Sequence, residues 1–193
     1  MKPLAILHHV TSELESLKIP YMVGGSFAGS YYGFARNTQD ADVIVAMRQA
    51  QVDGFLSAFG GEFYLDRGSI EDALRRRASF NIIHLESSFK VDFFVLRDRS
   101  FDQESFARRH LARIDPVIDL ESFLQSAEDT VLAKLEWYRL GGEVSEIQWR
   151  DIQGILKAQA ERLDSTYLHR WAQELGVADL LALAMQEAGV RDR

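Results

Sequence analysis

Gly24-Gly25-Ser26-Phe27-Ala28-Gly29-Ser30-Tyr31-Tyr32-Gly33-Phe34-Ala35-Arg36-Asn37-Thr38-Gln39-Asp40-Ala41-Asp42 is the stretch that decides the fold. It starts where one short apolar run, Tyr21-Met22-Val23, ends, and stops where another, Val43-Ile44-Val45, begins. This order reads as strand, glycine turn, helix over Phe27 to Tyr32, and a second strand over Ala41 to Ala46. Side chains two apart in a strand share a face, so Asp40 and Asp42 point one way and Ala41 the other. Like charges held that close repel, more so beside apolar residues, unless a cation lies between them. Mg²⁺, or Mn²⁺ in its place, suits two carboxylates, because such hard ions complete their shells with substrate phosphates and water.

The phosphates have a matching place upstream. A strand running through Gly24-Gly25-Ser26 into a helix presents backbone N–H groups and the positive end of the helix dipole. Glycine lets phosphate approach the backbone, and Ser26 adds a hydroxyl donor. Further along, Lys90-Val91-Asp92-Phe93-Phe94-Val95 sets a third aspartate inside an apolar strand. A carboxylate there is costly to bury without a cation, whether a metal ion or an arginine.

These residues together resemble the signature of the DNA polymerase β-like nucleotidyltransferase superfamily: Gly-Gly or Gly-Ser, a spacer, Asp-x-Asp, and a third acidic residue on a later strand. Thirteen residues separate Ser26 from Asp40. Gly24-Gly25-Ser26-x-Ala28 through Arg36-x-Thr38-x-Asp40-x-Asp42 is most similar to the prokaryotic branch that includes the AbiEii-type toxins. Ser126-Ala127-Glu128-Asp129-Thr130-Val131-Leu132-Ala133-Lys134-Leu135, followed by Arg150-Asp151-Ile152, is similar to the helical region after the core in that branch.

The resemblance implies an α+β fold in which a mixed β-sheet is flanked by helices and followed by a C-terminal helical region. The core would be residues 1–124, with 125–193 a helical region packed on it. It also implies transfer of a nucleoside monophosphate from an NTP to an acceptor hydroxyl by two metal ions. Asp40, Asp42 and Asp92 would bind metal and act in catalysis, with Asp92 also a candidate general base, while Gly24, Gly25 and Ser26 would bind phosphate. Arg36 and Thr38 read equally as phosphate ligands or as a local ion pair and a turn cap. A helical lysine is ordinarily solvated; the resemblance alone makes Lys134 a phosphate contact. Ser126 is placed to cap the helix that carries it, with Asp129 as its partner.

The acceptor stays open: an RNA 3′ end, a protein hydroxyl, or a small molecule such as an aminoglycoside. The AbiEii-type similarity implies a toxin–antitoxin or phage-defence setting with a cognate partner. The rival readings are a noncatalytic nucleotide- or partner-binding module of the same fold, and a structural protein whose helices mediate oligomers.

Composition bounds the rest. The 193 residues are 47% hydrophobic, enough for a sizeable core. No cysteine is present, which excludes a disulfide framework, a thiolate zinc site and a cysteine nucleophile. The histidines His8, His9, His84, His110 and His169 lack zinc-hydrolase spacing, and no Gly-x-Ser-x-Gly elbow occurs. A net charge of −7 argues against a generic nucleic-acid coat, although Arg75-Arg76-Arg77 and Arg97, Arg99, Arg108, Arg109 and Arg113 are placed to guide a polyanion. Leu4 to Val10 is too short for a signal peptide and nothing approaches a membrane span, so a cytoplasmic protein is expected.

The remaining elements expected are helices over Leu4 to Leu17, Gln49 to Phe59 and Ile70 to Arg77, and a strand over Glu62 to Leu65. A hairpin joins Phe80–Leu85 to Lys90–Leu96 and sets the Asp92 strand beside the Asp40 strand. A last strand falls near Val117 to Leu120. Helices follow from Ala127, broken at Gly141-Gly142, Asp164-Ser165 and Gly176. Leu132, Leu135 and Tyr138, with Trp171, Leu175 and Leu180, read as packing residues.

Overall fold

Pro3 presets the first turn of helix α1 (Pro3–Ser16), whose apolar positions recur at helical spacing and bury Ile6, Leu7, Val10 and Leu14. A computed structural model describes residues 2–33, 38–115 and 120–190. After α1 come strand β1 (Tyr21–Val23), helix α2 (Gly25–Tyr32) and strand β2 (Asp40–Val45). A 3-10 turn at Gln49–Gln51 leads into α3 (Val52–Phe59), where one continuous helix is expected from the sequence. Next are β3 (Phe63–Tyr64), α4 (Arg67–Arg76), β4 (Ser79–His84) and β5 (Lys90–Val95). The chain continues through α5 (Ser100–Ala107), β6 (His110–Asp115) and β7 (Leu120–Leu124), then α6 (Ala127–Leu140), α7 (Glu146–Gln159), α8 (Ser165–Glu174) and α9 (Ala178–Ala188).

Helix α5 and strand β6 are additions to the sequence reading. The strand expected near Val117 to Leu120 lies, apart from Leu120, outside the described residues, and the described strand runs Leu120–Leu124.

The chain divides into two compact units, Met1–Ser26 with Asn37–Leu124, and Phe27–Arg36 with Gln125–Arg193. In the first, the strands form a mixed sheet in the order β3-β4-β5-β2-β1-β7-β6. β2 is antiparallel to β1 and parallel to β5; β4 and β5 make the expected hairpin. One face of β2 and β5 is core, with Ala41, Val43, Val45, Val91 and Phe93 buried. Phe80 and Phe93 oppose each other and stack at 5.0 Å, and Phe55 from α3 meets both rings edge-on. The other face is polar at the start of both strands and apolar further on, where Ile44 packs near Met22, Leu96 and Phe106.

At the start of β1 the buried Tyr21 hydroxyl donates to Glu15 at 2.7 Å, and Ser122 lies 3.1 Å from it. Burial, reinforced by the Glu15 carboxylate, pushes the Tyr21 phenol up to about 12. The folded chain therefore holds this proton more tightly than the unfolded one does. Stability from Tyr21 is full below about pH 10, the ordinary phenol value, and is lost as pH rises towards about 12. Urea unfolding across this range should show a declining stability whose slope is shallower in Tyr21→Phe; equal slopes would refute the assignment.

The second unit packs α6 to α9 with most of α2. Ser126 caps α6, its hydroxyl oxygen accepting from the Asp129 N–H, and the fully buried Asp129 carboxylate accepts from Ser126 and Tyr167, each at 2.7 Å. Gly33, just past the end of α2, donates its N–H to the carbonyl oxygen of Gly29 one turn back at 2.9 Å. A methyl on Gly33 would meet the α7 backbone at Gly154 and Ile155 at about 3.0 Å. Buried Leu132, Leu135, Ile152, Ile155, Leu168, Trp171 and Leu181 form the core, and Tyr138 lies against Trp149 with the rings tilted and their centres 5.0 Å apart. Among the described residues no helix is long and apolar enough to cross a membrane.

Candidate active site

The register of two parallel strands builds the acidic face. β2 and β5 align Asp42 with Asp92 and Asp40 with Lys90. Aligned residues of neighbouring strands lie about 4.8 Å apart and share a face, so the three aspartates and Lys90 stand together. Each is partly exposed, while Ala41 and Val91 between them point into the core. Asn81 of β4 pairs with Asp92 from the other side and is exposed, extending the polar face by one strand.

The glycine turn is fastened to this face. The Gly24 N–H donates to the Asp42 carbonyl oxygen at 2.9 Å, so that amide belongs to the strand pairing. Gly25 has φ +53°, in the left-handed region that side chains disfavour. A methyl on Gly25 would lie 1.7 Å from Asp42 Oδ2, so the bare backbone is what lets the carboxylate pack against the turn. Ser26 sits in the first turn of α2, partly exposed.

Thr38 lies just before Asp40, and its hydroxyl is 2.9 Å from the Asp40 carbonyl oxygen and 3.0 Å from Oδ1. The hydroxyl donates to the aspartate and fixes its rotamer. Arg36 lies outside the described residues. Lys90 makes a 2.6 Å ion pair with Asp92. Its ammonium is held charged to higher pH than usual, first by this hydrogen bond and then by the fields of Asp92, Asp40 and Asp42, against a desolvation cost. Sequence reasoning passed over Lys90, although its position two residues before Asp92 on one strand carried the signal.

Among the described residues no group of three or more Asp, Glu or His side chains is already gathered as metal ligands. Two of the three carboxylates have local partners: Asp40 accepts from Thr38 and Asp92 pairs with Lys90. The donor set is all oxygen, and Asp40 with Asp42 fits a hard divalent ion that completes its shell with phosphate and water.

Lys134 belongs to the second unit. It is buried and pairs with Asp151 of α7 at 2.9 Å, with side-chain exposures of 9% and 12%. Gly29 makes room for its stem, since a methyl there would meet Lys134 Cε at 3.0 Å. Lys134→Met should cost about 3–5 kcal/mol, because it removes the ammonium that a buried carboxylate faces. Lys134→Met/Asp151→Leu should recover most of that loss in denaturant titrations; a single variant as stable as the native chain would refute the pair's importance.

The arginine groups are occupied nearby. Arg75 and Arg76 pair with Asp72, Arg77 with Asp98, and Arg97 and Arg99 with Asp102. Arg109 stacks over Phe106 with its carbon 4.2 Å from the ring centre. Such local pairing subtracts from the field available to a polyanion.

No protein-family model matches the sequence, and no curated protein does. Solved structures do share its fold. An antigenic nucleotidyltransferase-like protein from Paracoccidioides brasiliensis superposes with a TM-score of 0.60 at 18% identity, over 95% of this chain and 87% of that one. The antibiotic-resistance factor ANT(2'')-Ia does so with 0.56 at 15% identity, over 96% and 95%. The lincomycin-bound lincosamide antibiotic adenylyltransferase LnuA gives 0.51 at 14% identity, over 77% and 93%. At these identities the likeness is one of fold.

Proposed function

We propose that this chain, whose fold is that of the nucleotidyltransferases, transfers a nucleoside monophosphate from an NTP to an acceptor hydroxyl. The observation that carries the proposal is the in-register face of Asp40, Asp42 and Asp92 with the Gly25 backbone packed on the Asp42 carboxylate. Asp40 and Asp42 would hold a divalent metal ion, which when bound neutralises phosphate charge and favours departure of pyrophosphate. Thr38 serves by holding Asp40. Gly25 and Ser26 bind the β and γ phosphates with backbone N–H groups and the Ser26 hydroxyl, and Gly24 keeps their turn fixed to β2.

The acceptor oxygen forms a bond to the α phosphorus as the bond from that phosphorus to the bridging oxygen breaks. Pyrophosphate takes the electron pair, and the hydroxyl proton passes to Asp92. In the two-ion scheme implied by the resemblance, Asp40 and Asp42 together with Asp92 would hold the second ion, and Lys90 pairs with Asp92. The resemblance assigns Arg36 and Lys134 to phosphate as well; Lys134 has a structural part besides, through Asp151.

A small-molecule acceptor is the first to try, because LnuA is by name an antibiotic adenylyltransferase. RNA ends and protein hydroxyls follow, in keeping with the AbiEii-type resemblance and a toxin–antitoxin partner. Each α-labelled NTP is incubated with Mg²⁺ or Mn²⁺ and, in turn, aminoglycosides and lincosamides, total RNA, and total bacterial protein. Label on one acceptor class, absent with Asp40→Ala/Asp42→Ala, is the expected result. Nucleotide binding with no transfer to any acceptor would sink the enzyme reading in favour of a noncatalytic nucleotide-binding module.

A further inference from the structure

We infer that Lys90 stands in for a second metal ion, so that the acidic face takes one divalent cation and the Lys90 ammonium is its other positive charge. This rests on the functional reading of that face.

Lys90 is aligned with Asp40 and lies two residues before Asp92 on the same strand, which puts its stem on the acidic face. Its ammonium reaches Asp92 Oδ2 at 2.6 Å, short for a charge-assisted hydrogen bond. A second ion would need that same carboxylate, because Asp40 and Asp42 are the pair that fits the first. It would therefore have to displace the ammonium and then sit close to it, a divalent cation beside a monovalent one.

Retention of the ammonium is favoured by its surroundings. The register sets Asp40 beside Lys90 and Asp42 beside Asp92, and the paired side chains of Lys90 and Asp92 are 42% and 19% exposed. An exposed pair would be worth little, but one backed by two further like charges on a half-sheltered face is held more firmly.

The chemistry of the substitution is limited and specific. A lysine supplies a fixed positive charge beside Asp92, where the acceptor's proton is received, and it needs no coordination shell. It cannot organise several oxygens as a metal ion does. The site would thus depend on a single metal-binding event, with Lys90 as a positioning residue for Asp92.

The test counts ions. Bound Mn²⁺ is measured by the loss of free-ion electron paramagnetic resonance signal in the presence of a saturating non-hydrolysable imido-NTP, for native protein, Lys90→Ala and Lys90→Arg, with circular dichroism to check folding. One Mn²⁺ per chain–nucleotide complex is expected for the native protein and for Lys90→Arg, and two for Lys90→Ala. If Lys90→Ala does not fold, the native and Lys90→Arg counts still decide, since two ions in either overturns the inference. A single ion in folded Lys90→Ala overturns it too. Two ions in a native complex that binds nucleotide would sink the Lys90 inference and leave the functional reading standing. A native chain that binds neither nucleotide nor Mn²⁺ would sink both.

Discussion

Asp42→Asn should leave a folded protein whose nucleotidyl transfer is slower by on the order of a thousandfold. The amide keeps the size of the carboxylate and one acceptor oxygen, so its packing against the bare Gly25 backbone survives. What it loses is charge, at the one position that faces both the glycine turn and Asp92. Stability should move the other way. Asp40, Asp42 and Asp92 repel one another across two strands, and Lys90 offsets only part of this. Without metal, the variant should melt at the native temperature or a few degrees above it, as expected where a site is kept at a cost in stability. Transfer within tenfold of the native rate would show that Asp42 is not at the reacting centre. A large fall in melting temperature would show that its role is structural.

Gly25→Ala is the second substitution with a large expected effect, through the backbone. The left-handed φ of +53° costs a residue with a side chain about 1–2 kcal/mol. The methyl must also displace Asp42 Oδ2, which would otherwise lie 1.7 Å away. Together these should destabilise the fold by about 3 kcal/mol, a fall of roughly 6–12 °C in melting temperature for a chain of this size. Transfer should fall with it, even at temperatures where the variant is folded, because the carboxylate has been pushed off the turn. Gly61→Ala is the control: a methyl there meets nothing within 4 Å, and its melting temperature should change by no more than about 1 °C. Equal behaviour of the two variants would show that the close approach of Asp42 to Gly25 matters neither to stability nor to transfer.

The acidic face was legible in the sequence because its spacing is local. Asp40 and Asp42 alternate around Ala41, Asp92 is flanked by apolar residues, and the hairpin around Glu86-Ser87-Ser88-Phe89 brings its strand back beside β4. That the Asp92 strand lies beside the Asp40 strand was expected, whereas the parallel direction of the pairing and its register are seen only in the structure. The region 100–115 was not legible. β6 is an edge strand in which Ala112 is buried while Leu111 stays 54% exposed, so its hydrophobic pattern runs against the usual alternation. Arg109 there is held by aromatic faces, which composition reads only as charge. Lys134 was placed on its helix correctly, but its partner Asp151 comes from the next helix, and burial of such a pair is a tertiary outcome. Lys90 was legible in principle, since two-residue periodicity sets it beside Asp92, yet an isolated lysine at a strand start draws no notice.

The alignment of β2 with β5 bears on folding as much as on chemistry. These strands come from distant parts of the chain, and a pairing that slipped by one residue would keep most of its hydrogen bonds. It would, however, turn over every side chain of the slipped strand. Asp92 would then enter the layer now filled by Val91 and Phe93, and those two would face outward. A carboxylate in that layer has no cation to meet, so the misaligned sheet is penalised far more than an all-apolar pair of strands would be. The charges proposed to hold a metal ion thus also act as a registration mark, read while the sheet assembles and before any nucleotide arrives.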